Sequence, residues 1–388
     1  MVRSDSVERS CVMSTRSVDE LICELSNPTL ANREHAKQEL FERGPSVALV
    51  LLRAIPELKA KSYKASHLIP AGHEYSASSL LTLAAQDIGK IIASHRRAVV
   101  PSLVEQFRNS TEPTLGRYAA DVLKIIGKAA LPEMVLCLSD ECAYVRELAL
   151  DVLARMGKGS GAVQSEVREL VDDPSINVQR AAVDALPDIL QAPDALPILA
   201  RAVRHSDSVV RQKALEGIAL FKEASISVLS EIVTALDDPE CYVYAALAIS
   251  GIGKAANRAI PNLIQAMRHE CFEHHQNLHD AFHLIGLDSV WPLALALKDP
   301  DCRVRDGAKH ALRDLATYGP DIGIIETLVT RIRNGTANDQ CVALIALGAI
   351  GRKAAPALPI IREFSTQGPM HLRGVAASSL ELVERLLL

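Results

Sequence analysis

Residues 297–316 read LKDPDCRVRDGAKHALRDLA, and this stretch decides the fold. Counted from Val304, apolar or small residues occur at offsets 0, 3, 4, 7, 8 and 11, which together form one face of an amphipathic helix. Asp299 and Pro300 come just before that helix, and Asp followed by Pro is both a turn signal and an N-cap signal. The stretch therefore predicts a polar turn followed by a helix that buries one face.

The same helix pattern recurs through the C-terminal three-quarters of the chain, with a period near thirty-two residues. Besides the copy already described, copies start at Val145, Val178, Val210, Cys241, Asp339 and Leu372. Alanine is almost constant at the fifth position, where a small side chain lets a neighbouring helix approach closely. One helix pair of this size cannot bury its apolar face alone, so the pattern predicts that the pairs stack.

A second motif precedes most copies and consists of an apolar pair, a proline and then a leucine. Its prolines are Pro101, Pro132, Pro197, Pro261, Pro292 and Pro359. Because proline is tolerated in the first turn of a helix, each should mark the start of another helix. We call this proline-led helix the first helix of a pair and the amphipathic helix the second helix. Glycines near the end of many second helices predict left-handed C-caps at Gly127, Gly157, Gly253, Gly286 and Gly351.

This pattern resembles the HEAT-repeat family, and more narrowly the short HEAT-like repeats of phycobilisome lyases. The resemblance rests on Asp299, Pro300, Val304 and Arg305, with the alanines and leucine that follow, and it covers roughly residues 96–388. It implies an all-α fold, an α-solenoid (a HEAT/ARM-like superhelix) of about eleven helix-pair repeats. The resemblance is nearly silent on function, because the same architecture hosts many roles.

The N-terminal part is less regular, since its first repeat intervals are about forty residues long. We expect a disordered tail at 1–16, irregular HEAT-like repeats at 17–95 with an inserted loop at 59–74, and a regular repeat array at 96–388. The apolar last helix is expected either to cap this array or to mediate self-association.

Composition excludes several classes of protein. A formal charge of −5 and a pI near 6.2 argue against a globally basic nucleic-acid-binding face. The first residues contain no apolar run typical of a secretory signal, and no stretch approaches eighteen uncharged apolar residues, so neither secretion nor a membrane span is predicted. The eight cysteines include no CxxC pair, which indicates free thiols in a cytoplasmic protein. Those near the repeat turns, Cys241, Cys271 and Cys302, are expected to be buried small hydrophobes.

Five of the twelve histidines lie within residues 269–286. Cys271, His275, His279 and His283 are four residues apart, so a helix would place them in one row. In HEAT solenoids the second helix usually lines the concave surface, which makes the row an exposed inner stripe. Three interpretations remain open: a polar stripe that contacts a partner, a pH-sensitive surface, and a metal site. Since four residues of helix rise about 6 Å, three of these histidines cannot reach one ion, and a histidine pair would need another ligand.

The neighbouring second helices place different chemistry at the equivalent outward positions. The preceding helix offers apolar groups, and the following helix offers mostly charged ones. The candidate partner-binding residues are Tyr242, Val243, Leu247, His275, His279, His283, Asp306, Lys309, His310 and Arg313. Three strips about 10 Å apart would form a groove suited to a partner helix or an extended peptide.

The sequence contains no nucleophile motif, and residues 157–161, GKGSG, lack the ending of a phosphate-binding loop. The prediction is therefore a non-catalytic scaffold without a cofactor that binds a protein or peptide on its concave face. The alternative is an enzyme that uses the same groove, either metal-dependent or similar to a phycobilin lyase. A di-iron hydroxylase would need more His-Glu pairs than the two present, and a HEAT-like DNA glycosylase fits poorly with an acidic pI and a single tryptophan.

Overall fold

The structure is a computed structural model that describes residues 16–27, 29–65, 77–109, 113–159, 163–269, 275–318 and 323–385. Every regular element in these ranges is a helix. The chain divides into two compact units, residues 1–167 and 168–388. The composition-based boundary at 95/96 concerns repeat regularity and stays a prediction.

The first unit is built from helix pairs. Its helices are α1 Val18–Glu24, α2 Leu30–Glu42, α3 Ala48–Ala65, α4 Ala77–Ser94, α5 Val100–Asn109, α6 Pro113–Ile126, α7 Leu131–Cys137 and α8 Ala143–Met156, while α9 Gln164–Glu169 spans the division. Odd numbers are first helices and even numbers are second helices. Each of α4, α6 and α8 packs on the first helix that precedes it, and α6 also packs on α4 and α8.

The second unit continues the same order. Its helices are α10 Ile176–Ile189, α11 Ala192–Ala202, α12 Ser208–Leu220, α13 Leu229–Ala235, α14 Tyr242–Ile252, α15 Ile260–Ala266, α16 His275–Ile285, α17 Val290–Ala296, α18 Cys302–Tyr318, α19 Ile324–Asn334, α20 Ala337–Ile350, α21 Leu358–Thr366 and α22 Met370–Arg385. Its second helices contact one another in chain order, from α10 to α22, and form one layer of the unit.

The described residues contain eleven second helices, α2 to α22, as predicted. Of these, α4 is described from Ala77 onward. The predicted core face is also confirmed in α18, where all six core positions are buried: Val304, Gly307, Ala308, Ala311, Leu312 and Leu315. Helix periodicity thus predicts which side of each second helix enters the core.

The turn between the helices of a pair is held by the motif residues themselves. Arg305 Nη1 donates to the carbonyl oxygens of Asp299 and Pro300, both at 2.8 Å, and Asp299 Oδ1 accepts from the backbone N–H of Asp301 at 2.9 Å. Arg268 of the preceding repeat donates to both Asp299 carboxylate oxygens, at 3.0 and 2.8 Å. The aspartate therefore closes the turn and links two repeats, which is more than the predicted capping role.

The predicted glycine turns are confirmed in φ but differ from the predicted left-handed cap in ψ. The five glycines have φ between 67° and 85°, and the ψ of Gly253 is −139°, an extended value that favours glycine strongly. A 3₁₀ turn follows and leads into the next first helix. Two non-glycine residues with positive φ, Arg96 at 45° and Lys222 at 51°, occupy equivalent turns.

The proline prediction is right for five of the six positions. Pro101, Pro132, Pro261 and Pro359 are second residues of their helices, and Pro292 is a third residue. Pro197 instead lies inside α11. The reason is local, because α10 ends at Ile189 without a glycine turn and the backbone at Leu190 is extended. The helix α11 therefore begins at Ala192, five residues before Pro197, and has Pro193 in its first turn.

Two N-terminal predictions need correction. The inserted loop predicted at 59–74 is wrong for residues 59–65, which continue α3, and its remainder lies outside the described residues. This part of α3 is held because it packs on α4, where the Ser62 and Thr82 hydroxyls are 2.9 Å apart. In the predicted tail, Arg16 is described and pairs with Glu24 at 2.7 Å, while residues 1–15 lie outside the described residues.

Residues 337–366 are long and apolar enough to cross a membrane by composition. In the structure, 61% of the most apolar window of this stretch is buried in the protein, and Gly351 interrupts the helix with a φ of 72°. The stretch forms α20 and α21, which pack on α22. Its apolar character is accounted for by the core of the second unit.

The last helix buries one face on α20 and α21 through Leu372, Ala376, Ser379 and Val383. Its opposite face is exposed and carries mainly small and charged residues, although Leu382 and, at the start of the helix, Met370 are also exposed. Both the capping role and self-association through this helix stay predictions.

Candidate protein-binding site

The apolar residues that are predicted to face outward on α14 are only partly on the surface. Tyr242 is 3% exposed, so its predicted outward position is wrong; its ring packs against that of His269 with centroids 5.3 Å apart. Val243 is half-buried, and its carbonyl accepts from Asn277 Nδ2 at 3.3 Å. Leu247 is 40% exposed and is the large apolar side chain that α14 presents to solvent.

The histidines of the predicted row differ in exposure. His275 begins α16, but its side chain lies outside the described residues, as does Cys271. The His279 side chain is only 11% exposed, so the prediction of an open imidazole strip is wrong at this position. His283 is half-buried, one turn further along. The row therefore does not form one exposed stripe of imidazoles along α16.

His279 joins two repeats through what we call the imidazole cluster, made of His279, His310 and Asp314. The Nδ1 atom of His279 is 2.9 Å from Asp314 Oδ2 on α18. Its ring stacks on His310 of α18, with centroids 6.4 Å apart and planes inclined by 15°. In the neutral state Nδ1–H donates to the carboxylate, so the cluster acts as a polar joint between α16 and α18.

The remaining predicted residues lie on α18. Asp306 is exposed, and Lys309 and His310 are half-buried. Arg313 is half-buried, and its Nε donates to the Ala349 carbonyl near the end of α20, at 2.7 Å. The mostly charged strip therefore has one member that links adjacent second helices.

No group of three or more His, Cys, Asp or Glu side chains in the described part of the chain is arranged to hold a metal ion. The cysteine prediction is right for Cys241, which is buried and whose pKa burial raises to about 11. It is wrong for Cys302, which is exposed at the start of α18.

We expect the imidazole cluster to make stability depend on pH. Burial lowers the pKa of His279 below its ordinary value of 6.5, and His310 adds to this, although Asp314 and Asp280 oppose it. The unfolded chain therefore binds more protons below pH 6.5, so the stability that neutral His279 contributes is present above that pH. It is lost as the pH falls through the folded-state pKa, with a slope of at most about 1.4 kcal/mol per pH unit.

Urea unfolding between pH 5 and 8 checks this expectation. The His279→Asn variant should show a flatter dependence of unfolding free energy on pH below 6.5. His371→Asn, which changes an exposed histidine on α22, serves as the control and should leave the dependence unchanged. An unchanged slope in His279→Asn would contradict the assignment.

A surface of which helix periodicity predicts only Leu247 lies on three adjacent second helices. Leu220 ends α12 and is 67% exposed, and Leu284 lies near the end of α16 and is 51% exposed. Between them, Gly251 of α14 has no side chain. We call Leu220, Leu247, Gly251 and Leu284 the apolar strip.

Close backbone contacts place the members of the apolar strip side by side. A Cβ at Gly251 would lie 3.1 Å from the Ala219 carbonyl oxygen, next to Leu220. A Cβ at Gly253 would lie 3.6 Å from the Leu284 carbonyl oxygen. Leu247 is one helical turn before Gly251 on the same face. Because Gly251 has no side chain, the backbone at the end of α12 approaches α14 closely, and the three exposed leucines lie around this contact.

The repeat register contains the signal that would have found this strip. Leu220, Gly251 and Leu284 occupy the same repeat offset, ten residues after the start of each pattern. The preceding and following repeats carry Asp188 and Asp314 at that offset. Three uncharged residues bounded by two carboxylates stand out once the outward offsets are compared repeat by repeat.

Charged side chains surround the apolar strip on all sides. One turn before its leucines lie Glu216 on α12 and Asp280 on α16. The Lys213 ammonium group lies 3.0 Å from a Glu216 carboxylate oxygen and 3.2 Å from one of Asp184 on α10. On the other side, the 3₁₀ turns after α12 and α14 carry exposed cations, which we call the basic edge: Lys222, Lys254 and Arg258.

A separate groove lies on the first-helix side of the second unit. It has a volume of about 1020 Å³ and is lined by residues 171–172, by α11 with Pro193 and Pro197, and by the start of α13. Its charged groups form pairs, Arg201 with Asp172 at 2.9 Å and Arg204 with Glu231 at 3.7 Å. Because these charges are matched within the protein, the groove gives less chemical indication of a partner than the apolar strip does.

A family model described as HEAT repeats matches residues 165–240. No curated protein matches the chain. Among solved structures, importin beta is similar over 95% of this chain and 55% of its own, with 13% identity and a TM-score of 0.54. Kap121p bound to Nup53p is similar over 95% of this chain and 45% of its own, with 13% identity and a TM-score of 0.53. The chain thus spans about half the length of these proteins.

At such low identity these similarities show the fold alone. They confirm the predicted fold class, an all-α solenoid, and the family match shows HEAT repeats at residues 165–240. The narrower likeness to lyase-type repeats stays a prediction.

Proposed function

We propose that this chain of HEAT repeats is a non-catalytic scaffold that binds a protein partner through the second-helix face of its second unit. The observation that carries the proposal is the apolar strip, where three leucines on adjacent helices are between 40% and 67% exposed. Contiguous exposed apolar surface rimmed by polar groups is typical of protein-binding sites.

The leucines of the strip lie on three adjacent helices, so a partner that covers α14 can contact all three. Apolar groups that are desolvated at the centre of an interface carry most of its binding energy. The solved relatives support the same class of function, since Kap121p is bound to Ste12p in one structure and to Nup53p in another.

The substitution Leu247→Asp tests the proposal. A carboxylate at this exposed position would be desolvated by the partner, so affinity should fall at least tenfold. Leu295→Asp is the matched control, because Leu295 is 43% exposed but lies on the first helix α17. Partners would be identified by crosslinking mass spectrometry on the native chain and then titrated against both variants by calorimetry.

Comparison of the partner affinities of the two variants decides whether the strip is a binding site. The proposal requires that Leu295→Asp retains the affinity of the native chain while Leu247→Asp loses it. Equal affinities for the native chain and Leu247→Asp would refute a binding site at this strip. The alternative of a lyase-like or metal-dependent enzyme in the same region stays a prediction.

A further inference from the structure

The charges around the apolar strip have a consistent arrangement. Carboxylates border the strip at both ends and on the side of the helix axes, as Asp188, Asp314, Glu216 and Asp280. On the side of the 3₁₀ turns, the turns after α12 and α14 carry the basic edge, while the turn after α16 carries the carboxylate of Asp288. The apolar strip therefore has carboxylates along one side, which we call the acidic bank, and the basic edge along the other side.

From this arrangement, and building on the proposed function, we infer that the partner is an amphipathic helix that lies across α12, α14 and α16 with one cationic and one anionic flank. Its apolar seam faces the strip, its cationic flank faces Glu216 and Asp280, and its anionic flank faces the basic edge. Charge complementarity of this kind selects partners and fixes their register.

The dimensions fit a short helix. Leu220 and Leu284 lie on helices two packing steps apart, which corresponds to about 20 Å. A helix rises 1.5 Å per residue, so about thirteen residues span this distance. Apolar residues at every third or fourth position would then form a seam that covers Leu220, Gly251 and Leu284.

The basic edge is available for such a partner. Lys254 and Arg258 are exposed and form no hydrogen bond or ion pair with another described side chain. On the acidic bank, Lys213 bridges Asp184 and Glu216, while Asp280 accepts from Gln276 Nε2 at 2.9 Å. The negative charge of the acidic bank is thus only partly neutralised within the protein. On the opposite side, the 3₁₀ turn that begins at Lys222 also carries the carboxylate of Glu223.

Synthetic helical peptides of about fourteen residues, with a leucine seam, test the inference against the full chain. One probe has lysines on one flank and glutamates on the other, a second has lysines on both flanks, and a third has glutamates on both. At low ionic strength we expect the two-flank probe to bind about tenfold more tightly than either uniform probe, with the difference shrinking as salt rises.

Reversing the charge of the basic edge provides a second test. In the double variant Lys254→Glu with Arg258→Glu, the probe with lysines on both flanks should become the tightest. The control is Arg352→Glu with Lys353→Glu, which makes the same change of charge at an exposed 3₁₀ turn in the last repeat and should keep the native order of affinities.

Each outcome bears on a separate claim. If all three probes bind equally and Leu247→Asp weakens them all, the apolar strip is a binding site but the inferred flanks are wrong. If the order of affinities is the same in both double variants, the basic edge has no role and the inference is wrong. If no probe binds, or Leu247→Asp leaves binding unchanged, the inference and the proposed function are both overturned.

Discussion

Replacement of Phe282 by alanine is expected to destabilise the second unit by about 3–5 kcal/mol. Phe282 is fully buried on α16, which packs against both α14 and α18. Removing the ring takes away apolar contact in the second-helix layer and leaves a cavity that the neighbouring backbones cannot fill. The nearby backbone is also fixed, since the Phe282 carbonyl accepts from the buried Ser289 hydroxyl at 3.2 Å.

Leu284→Ala provides the control for this prediction on the same helix. Leu284 is half-exposed, so its truncation should cost no more than about 0.5–1 kcal/mol. Guanidinium unfolding followed by circular dichroism, with hydrogen exchange on α14, α16 and α18, would measure both effects. Similar losses from the two variants would show that α16 does not pack as the structure describes.

The core of the protein could be predicted from the sequence because burial imposes a periodicity. Val304, Ala308 and Leu315 enter the core at the spacing of a helix, and neither their partners nor the bend of the stack has to be known to recognise it. The glycine turns were predictable for a similar reason. A positive φ is costly for other residues, so a chain that repeats the turn tends to repeat the glycine.

The outward surface could be predicted only in part. Tyr242 and His279 occupy offsets that are exposed in a single helix but are covered by neighbouring segments in the packed protein. Their burial depends on contacts such as that between His279 and Asp314, which join residues 35 positions apart in the chain. Helix periodicity contains no information about which neighbouring side chain covers an outward position, and that is why the imidazole row was misplaced.

The loop predicted at 59–74 was wrong in its first part for a different reason. A run of lysines separated by small and polar residues resembles a solvated loop, yet α3 continues to Ala65 because its other face packs on α4. The same limitation affects Pro197, where the local turn signal is overridden by an earlier helix start. In both places tertiary packing and element boundaries decide the outcome, and local composition does not report them.

The substitution Gly348→Leu is expected to detach the last repeat. Gly348 is buried on α20, and a Cβ there would lie 3.0 Å from Ser379 Oγ and 3.1 Å from Ser379 Cα on α22. A leucine side chain must therefore push the α22 backbone away. The displacement would also break the buried hydrogen bond from Ser379 Oγ to the Leu344 carbonyl, now 2.8 Å long. Overpacking typically costs about 1–3 kcal/mol and an orphaned buried hydrogen-bonding group about 1–3 kcal/mol more.

Gly374 gives the matched control, because it lies on the exposed side of α22 and a Cβ added there would have no described atom within 4 Å. Leucine is a better helix former than glycine, so Gly374→Leu should be neutral or stabilise α22 by up to about 1 kcal/mol. The same chemical change would thus have opposite signs on two adjacent helices. Since α22 packs on α20 and α21, its loss in Gly348→Leu should appear as fast hydrogen exchange in α21 and α22 while α10 to α16 stay protected. Uniform loss of protection across the second unit would show instead that its repeats unfold as one cooperative body.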